Sequence, residues 1–256
     1  MSRFAPVLII ALLLYTCGTD EDDTVSTDAM VTLNFTHNWD GETVTDADFS
    51  TIKFANANGE MLSIERLRYL VSDIRFSNSN NEFLTFDIHQ LIDLSIENSL
   101  SLTLPEAVLK GNYTNVSFNF GFDNEDNAEN YVDLNLASFN VPDMLGGGYH
   151  YMQFDGKFLN SNSEEQGFNY HAIRAVDNPG MNPTFPQDTF FTVNLGAISL
   201  TDDASLTVEM NIAEWFKSPN TWDLNSLNTV LMPNSSAQIV ISENGRNVFS
   251  LGTVTQ

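Results

Sequence analysis

Residues 31–39, VTLNFTHNW, alternate without a fault: Val31, Leu33, Phe35, His37 and Trp39 fall on one side, Thr32, Asn34, Thr36 and Asn38 on the other. Side chains of period two belong to a strand with one buried face. The alternation returns at Val116, Phe118, Phe120 and Phe122, and again at Leu206, Val208, Met210 and Ile212. Leu70, Ser72, Ile74 and Phe76 keep it, as do Leu84, Phe86 and Ile88. Short alternating runs separated by turns, with no βαβ alternation, predict an all-β fold, an antiparallel β-sandwich of about ten strands. One stretch, residues 212–228, reads as a short helical segment, broken at Pro219 with Asp223 placed to cap a second turn. Near the end of the chain, Asn244-Gly245 predicts a hairpin turn.

The first residues follow other rules. Arg3, an apolar run from Val7 to Leu14 and then Leu14-Tyr15-Thr16-Cys17 form the pattern of a lipoprotein signal peptide, too short to span a membrane as a mature helix. Residues 1–16 are therefore expected to be an address. Cys17, the one cysteine of the chain, is expected to be lipidated, and 17–30 to be an acidic tether between a lipid bilayer and one domain at 31–256. The expected place is the bacterial outer membrane, on its periplasmic face or at the cell surface. With no second cysteine, disulfides and thiolate metal sites are excluded from the folded body.

Charge narrows the partners. With 34 acidic against 10 basic residues, the net charge of −24 removes the Lys/Arg clusters on which nucleic-acid binding rests. The sequence also lacks a G-x-S-x-G elbow and a phosphate-cradling glycine loop, and no pair of carboxylates stands out among the acids, so an enzyme is not expected. The acidic loop at 123–130, DNEDNAEN, lacks the glycine and ligand spacing of a calcium loop and reads as solvated.

What remains is imidazole. The stretch 146–158, GGGYHYMQFDGKF, runs from a glycine turn into a strand whose even positions are His150, Met152, Phe154 and Phe158. A histidine on an apolar face needs a partner. The following run FNYHAI forms a hairpin with it and brings His171 back toward His150, while His37 ends the first strand on the core side. His89 falls on the polar side of its strand and is set aside as a surface residue. Imidazole with a nearby thioether, here Met152, suits copper, Cu(I) or Cu(II). The other account of each histidine is a structural imidazole hydrogen-bonded to backbone. Trp215 and Trp222 read as core.

LRYLVSDIRF, FDIHQLIDL, FNFGFDNEDN, GGGYHYMQFDGKF with FNYHAI, and LMPNSSAQIVISENGRNVF occur in an order that resembles the MbnP-like family. These are periplasmic or surface proteins related to the methanobactin-associated copper-binding protein and to copper-repressible surface proteins of methane-oxidising bacteria. The resemblance spans most of the body. It implies a β-rich fold and a mononuclear copper site of histidines, carried over to His37, His150 and His171. In some members a tryptophan oxidised to kynurenine by a di-haem enzyme of the MauG type completes the site, which makes Trp39 the candidate here. Where members have a tryptophan-rich approach to the central strand, this chain has LGGG. The expected function is copper acquisition, storage or delivery. A surface lipoprotein that binds a protein or glycan, with structural histidines, is the alternative.

Overall fold

A computed structural model describes residues 27–256. The signal segment, Cys17 and the tether up to residue 26 lie outside the described residues. Among the described residues, nine strands of seven residues or more carry the fold: β1 (Val31–Trp39), β2 (Arg66–Ser77), β3 (Phe83–Asp93), β4 (Gly111–Phe120), β5 (Met152–Leu159), β6 (Glu165–Ala172), β7 (Phe191–Leu200), β8 (Ala204–Asn211) and β9 (Phe249–Thr255). The helices are α1 (Val132–Leu136) and α2 (Ser235–Gly245), with single 3-10 turns elsewhere. Within the described residues, pairing already includes the stretch before Val31: Asp28–Ala29 pair with Val108–Leu109, and Ala29 is buried.

Two sheets face each other. In the smaller, β9, β8 and β1 lie side by side; in the larger, β7, β4, β2 and β5 follow in order, with β3 on the far edge of β2 and β6 on β5. The faultless alternation of β1 is realised as buried Val31, Leu33, Phe35, His37 and Trp39. Phe35 closes the gap between the sheets, its ring centroid 6.3 Å from Tyr69 and 6.1 Å from Phe118. The sandwich is thus as the alternation predicts, except that β8 and β1 pair in parallel, the one parallel pairing among the described residues. Strand direction is invisible to a period of two, because parallel and antiparallel strands alternate alike.

The last part of the chain departs from its turn signals. Asn244 and Gly245 end α2 instead of turning a hairpin, and neither has the positive φ that a type I′ turn demands. Asn234 caps this helix by accepting from Ala237 N at 3.0 Å. Its inward residues Ala237, Gln238, Ile241, Ser242 and Gly245 recur at helical spacing. Gly245 is glycine for room: a Cβ there would lie 2.6 Å from Phe191 and 2.7 Å from Trp215. Of the segment expected to be helical, only Ile212–Phe216 winds, as one 3-10 turn.

The feature that positions the site is a division along one edge of β2. β4 pairs with its residues 71–77 and β5 with 66–69. Leu70 stands at the division, its N–H donating to Tyr151 O at 2.9 Å and its carbonyl accepting from Gly121 N at 2.9 Å. Gly121, at φ +81, leaves the place that the Tyr151 ring occupies. On the other side Tyr151 N donates to Ala172 O at 2.8 Å, the carbonyl of the residue paired with Met152, so the regular ladder of β5 with β6 begins only at Met152.

Candidate metal centre

That irregularity decides where His150 points. Within β5 and β6 the cross-strand partners Gln153 and His171 share one face, and Met152 and Ala172 the other. Met152 packs in the main core with Tyr69 and Phe154, as the alternation expects. Strict alternation would put His150 beside it. The residues from Tyr149 to Phe154 are instead all buried, and the His150 ring emerges on the face of Gln153 and His171. Met152 and His150 therefore lie on opposite sides of the sheet, and Met152 is no ligand for a centre at His150.

The hairpin does bring the two imidazoles together. The rings of His150 and His171 stand 5.3 Å apart, edge to face at 83°. His150 Nδ1 lies 2.9 Å from Phe139 O, and a carbonyl only accepts, so Nδ1 carries the hydrogen. Nε2 is left with its lone pair, buried and without any hydrogen-bond partner. Gln153 stands beside this ring, its Oε1 accepting from Arg68 Nε at 2.7 Å and its Nε2, which donates to Ser138 O at 3.5 Å, lying 3.3 Å from Nδ1, farther than the Phe139 carbonyl that Nδ1 engages. Burial pushes the His150 imidazole down to about 4, the Phe139 bond opposes this, and His171, Arg68 and Arg66 push further down. The ring is neutral at physiological pH, the form in which imidazole binds a metal.

His171 is oriented from its other side. Its Nε2 donates to Asp155 Oδ1 at 2.8 Å. Asp155 is held in turn by Arg66, whose Nε donates to Oδ2 at 2.6 Å, and by Asn169 Nδ2 at 2.5 Å. Burial alone would raise the Asp155 carboxyl, but His171, Asn169 and Arg66 hold it down at about 2, so it stays ionised and accepts. With Nε2–H committed to Asp155, Nδ1 is the free nitrogen of His171. A carboxylate behind a histidine is the usual arrangement for fixing a metal ligand's tautomer.

His37 does not join them. It lies in the inter-sheet core, 4% exposed, with Nε2 3.0 Å from Tyr69 Oη. Among the described residues, no group of three His, Cys, Asp or Glu ligand atoms within 4.8 Å of one another contains a histidine. The pattern placed His37 on the core side correctly, but there its Nε2 is taken by the Tyr69 hydroxyl. Burial pushes this imidazole down to about 3. Trp39 is also core: its ring stacks on Phe54 at 4.9 Å and Phe216 at 6.0 Å, and its Nε1 donates to Ala55 O at 3.0 Å. Its neighbours are these, not the imidazole pair. Trp215 and Trp222 are buried as expected. In the LGGG approach two of the three glycines have no room for a side chain, since a Cβ would lie 2.5 Å from Phe185 at Gly146 and 2.7 Å from Asn127 at Gly148. His89 shares a 2.9 Å contact with Asp133 at the surface.

Among the described residues, Asp73, Asp87 and Asp126 do bring three carboxylates within 4.8 Å of one another. No linear spacing announced it, because its members come from β2, β3 and the acidic loop. Burial first, then the negative charges of Asp73, Asp123, Asp87 and Glu125, push the Asp126 carboxyl up to about 6.

Fold and site together define a class: a two-sheet β protein that carries a buried, neutral imidazole pair at the root of a hairpin. A family model described as MbnP matches residues 28–233, and the chain belongs to the MbnP family. Its fold is similar to that of MbnP from Methylosinus trichosporium, with a TM-score of 0.58 and 12% identity over 89% of this chain and 99% of that one. No curated protein matches the chain. Family membership supports the general association with copper that the sequence resemblance implies. The residues fit such an ion: one orphaned buried nitrogen beside a second, carboxylate-oriented imidazole is a donor set suited to copper.

Proposed function

We propose that this chain is an envelope lipoprotein that binds a copper ion through His150 and His171, for acquisition, storage or delivery, and that it is not itself an enzyme. The observation that carries this is the His150 Nε2 lone pair, buried with no partner next to the His171 ring. Leaving a buried polar atom unpaired costs roughly 1–3 kcal/mol, a cost that a bound metal removes. The anchor is Cys17, with the domain on the periplasmic face of the outer membrane or at the cell surface. A di-haem enzyme of the MauG type belongs to this function only through oxidation of a tryptophan. The indoles of Trp39, Trp215 and Trp222 sit in the core, which favours a centre without kynurenine.

The experiment is a titration of the mature protein with Cu(I) and with Cu(II). The parent takes up about one ion per chain, and thermal unfolding shifts upward by the equivalent of ~2.7 kcal/mol at a hundredfold excess over Kd. His150→Ala with His171→Ala abolishes both effects. Binding by the double variant equal to the parent's would make the histidines structural and return the chain to the protein- or glycan-binding alternative.

A further inference from the structure

The cleft beside His171 contains a residue that the strand pattern passes over. Residues 228–232 run along the outer edge of β6: Asn169 N donates to Asn228 O at 2.8 Å, and Asn228 Nδ2 donates to Gly167 O at 3.0 Å. One buried amide then locks the end of this segment in place. Gln238 Nε2 donates to His171 O at 2.9 Å and to Leu231 O at 3.1 Å, while its Oε1 accepts from Ile173 N at 2.7 Å. The backbone of His171 and Ile173 and the backbone before Met232 are thus tied through a single side chain. Val230 just upstream has a φ of +59, a conformation that a β-branched residue holds only when its surroundings impose it.

The consequence is a cavity of about 250 Å³ whose walls include both His171 and Met232. Met232 is only partly buried and packs against the cluster of Val141, Leu145 and Ile173. Val141 and Leu145 belong to the loop that leads into His150, and Val141 N donates to Gly148 O at 2.9 Å. Met232 therefore shares a cavity with His171 and packs on residues of the segment that leads into His150. Met152, the methionine nearest in sequence, is on the far face of the sheet.

We propose that Met232 supplies a thioether sulfur to the copper centre of His150 and His171 and makes that centre selective for Cu(I). This rests on the copper function above and adds the residue that sets oxidation-state preference. A thioether is a soft donor that favours Cu(I) over Cu(II), whereas imidazole alone serves either. Gln238 is the positioning residue that keeps the sulfur on the His171 side.

The test uses the mature protein and its Met232→Leu variant, which keeps the volume and removes the sulfur. Cu(I) affinity is measured by competition with a chelator, Cu(II) affinity likewise, and copper X-ray absorption reports the donor atoms. In the parent the absorption spectrum contains a sulfur scatterer, an observation that needs no variant to fold. In Met232→Leu that scatterer is lost and Cu(I) affinity falls by at least about tenfold, the effect expected of removing even an outer partner of a metal site, while Cu(II) affinity changes less. If the parent binds copper with nitrogen and oxygen donors alone, or Met232→Leu binds Cu(I) as tightly as the parent, Met232 is not a ligand and the imidazole pair stands without it. If the parent binds neither Cu(I) nor Ag(I), the assignment of the pair and of Met232 fall together.

Discussion

His37 and His150 are equally buried, each 4% exposed, and burial lowers both imidazoles far below the ordinary range, yet one is structure and the other a candidate ligand. The difference is one nitrogen. His37 Nε2 meets Tyr69 Oη, whereas His150 Nε2 meets nothing. Burial and a shifted pKa therefore do not mark a metal site by themselves. What marks it is a polar atom that the fold has taken out of water and left unpaired next to a second donor.

Leucine at each position separates the two roles. His150→Leu should cost copper affinity most heavily, by about 100-fold or more, since one of two imidazoles is gone. Its apo stability should stay level or rise by up to ~1 kcal/mol, because an orphaned polar atom is removed. Phe139 O keeps its 2.9 Å bond from His150 N in that variant. Urea unfolding together with copper titration measures both. If apo His150→Leu is strongly destabilised, the nitrogen was not idle and the contrast fails.

His37→Leu should do the reverse. It leaves Tyr69 Oη buried and alone, at a cost of about 2 kcal/mol in urea unfolding, with copper affinity unchanged. The cost should depend on pH. The folded-state value for His37, about 3, lies below the ordinary 6.5, so below pH 6.5 the unfolded chain binds the proton that the folded chain refuses. Stability from the neutral imidazole is complete above that pH and drains away as pH falls toward 3. The difference between parent and His37→Leu should then fall by ~2.7 kcal/mol between pH 7.5 and 4.5, enough to cancel or reverse it. A difference that does not change with pH would mean that His37 is not held neutral.

The smallest effect belongs to the residue behind the second imidazole. Asp155→Asn keeps an acceptor for His171 Nε2 but loses the charge that Arg66 and Asn169 hold in place. Copper affinity should fall about tenfold without loss of stoichiometry. An unchanged affinity would confine Asp155 to pairing with Arg66.

The two histidines also mark where the sequence stops being sufficient. Val31–Trp39 is a complete statement of its strand, and His37 sits on the face that the pattern assigns to it, because an uninterrupted strand allows only two faces. The β5/β6 hairpin was equally legible, and with it the approach of His171 to His150. The face of His150 was not. Three glycines with positive φ precede it, and Tyr151 N bonds to Ala172 O rather than continuing the ladder of β5 with β6, so the alternation does not carry back to His150. Asn244-Gly245 misled for a related reason, since a turn dipeptide does not declare whether its flanks alternate or wind.

By itself, then, the sequence determined the all-β class, the strands and the four imidazoles from which a centre could be drawn. Which nitrogen is left without a partner, which carboxylate stands behind which ring, and whether Met152 or Met232 is near them were decided by tertiary structure alone. The physical reason is that alternation is a local property, set by the φ and ψ of consecutive residues. An unpaired atom is instead a property of everything packed around it. Segments as distant as Phe139 and His171 meet at His150, and Met232 shares a cavity with His171, only after two sheets, a hairpin and a buried glutamine have put them there.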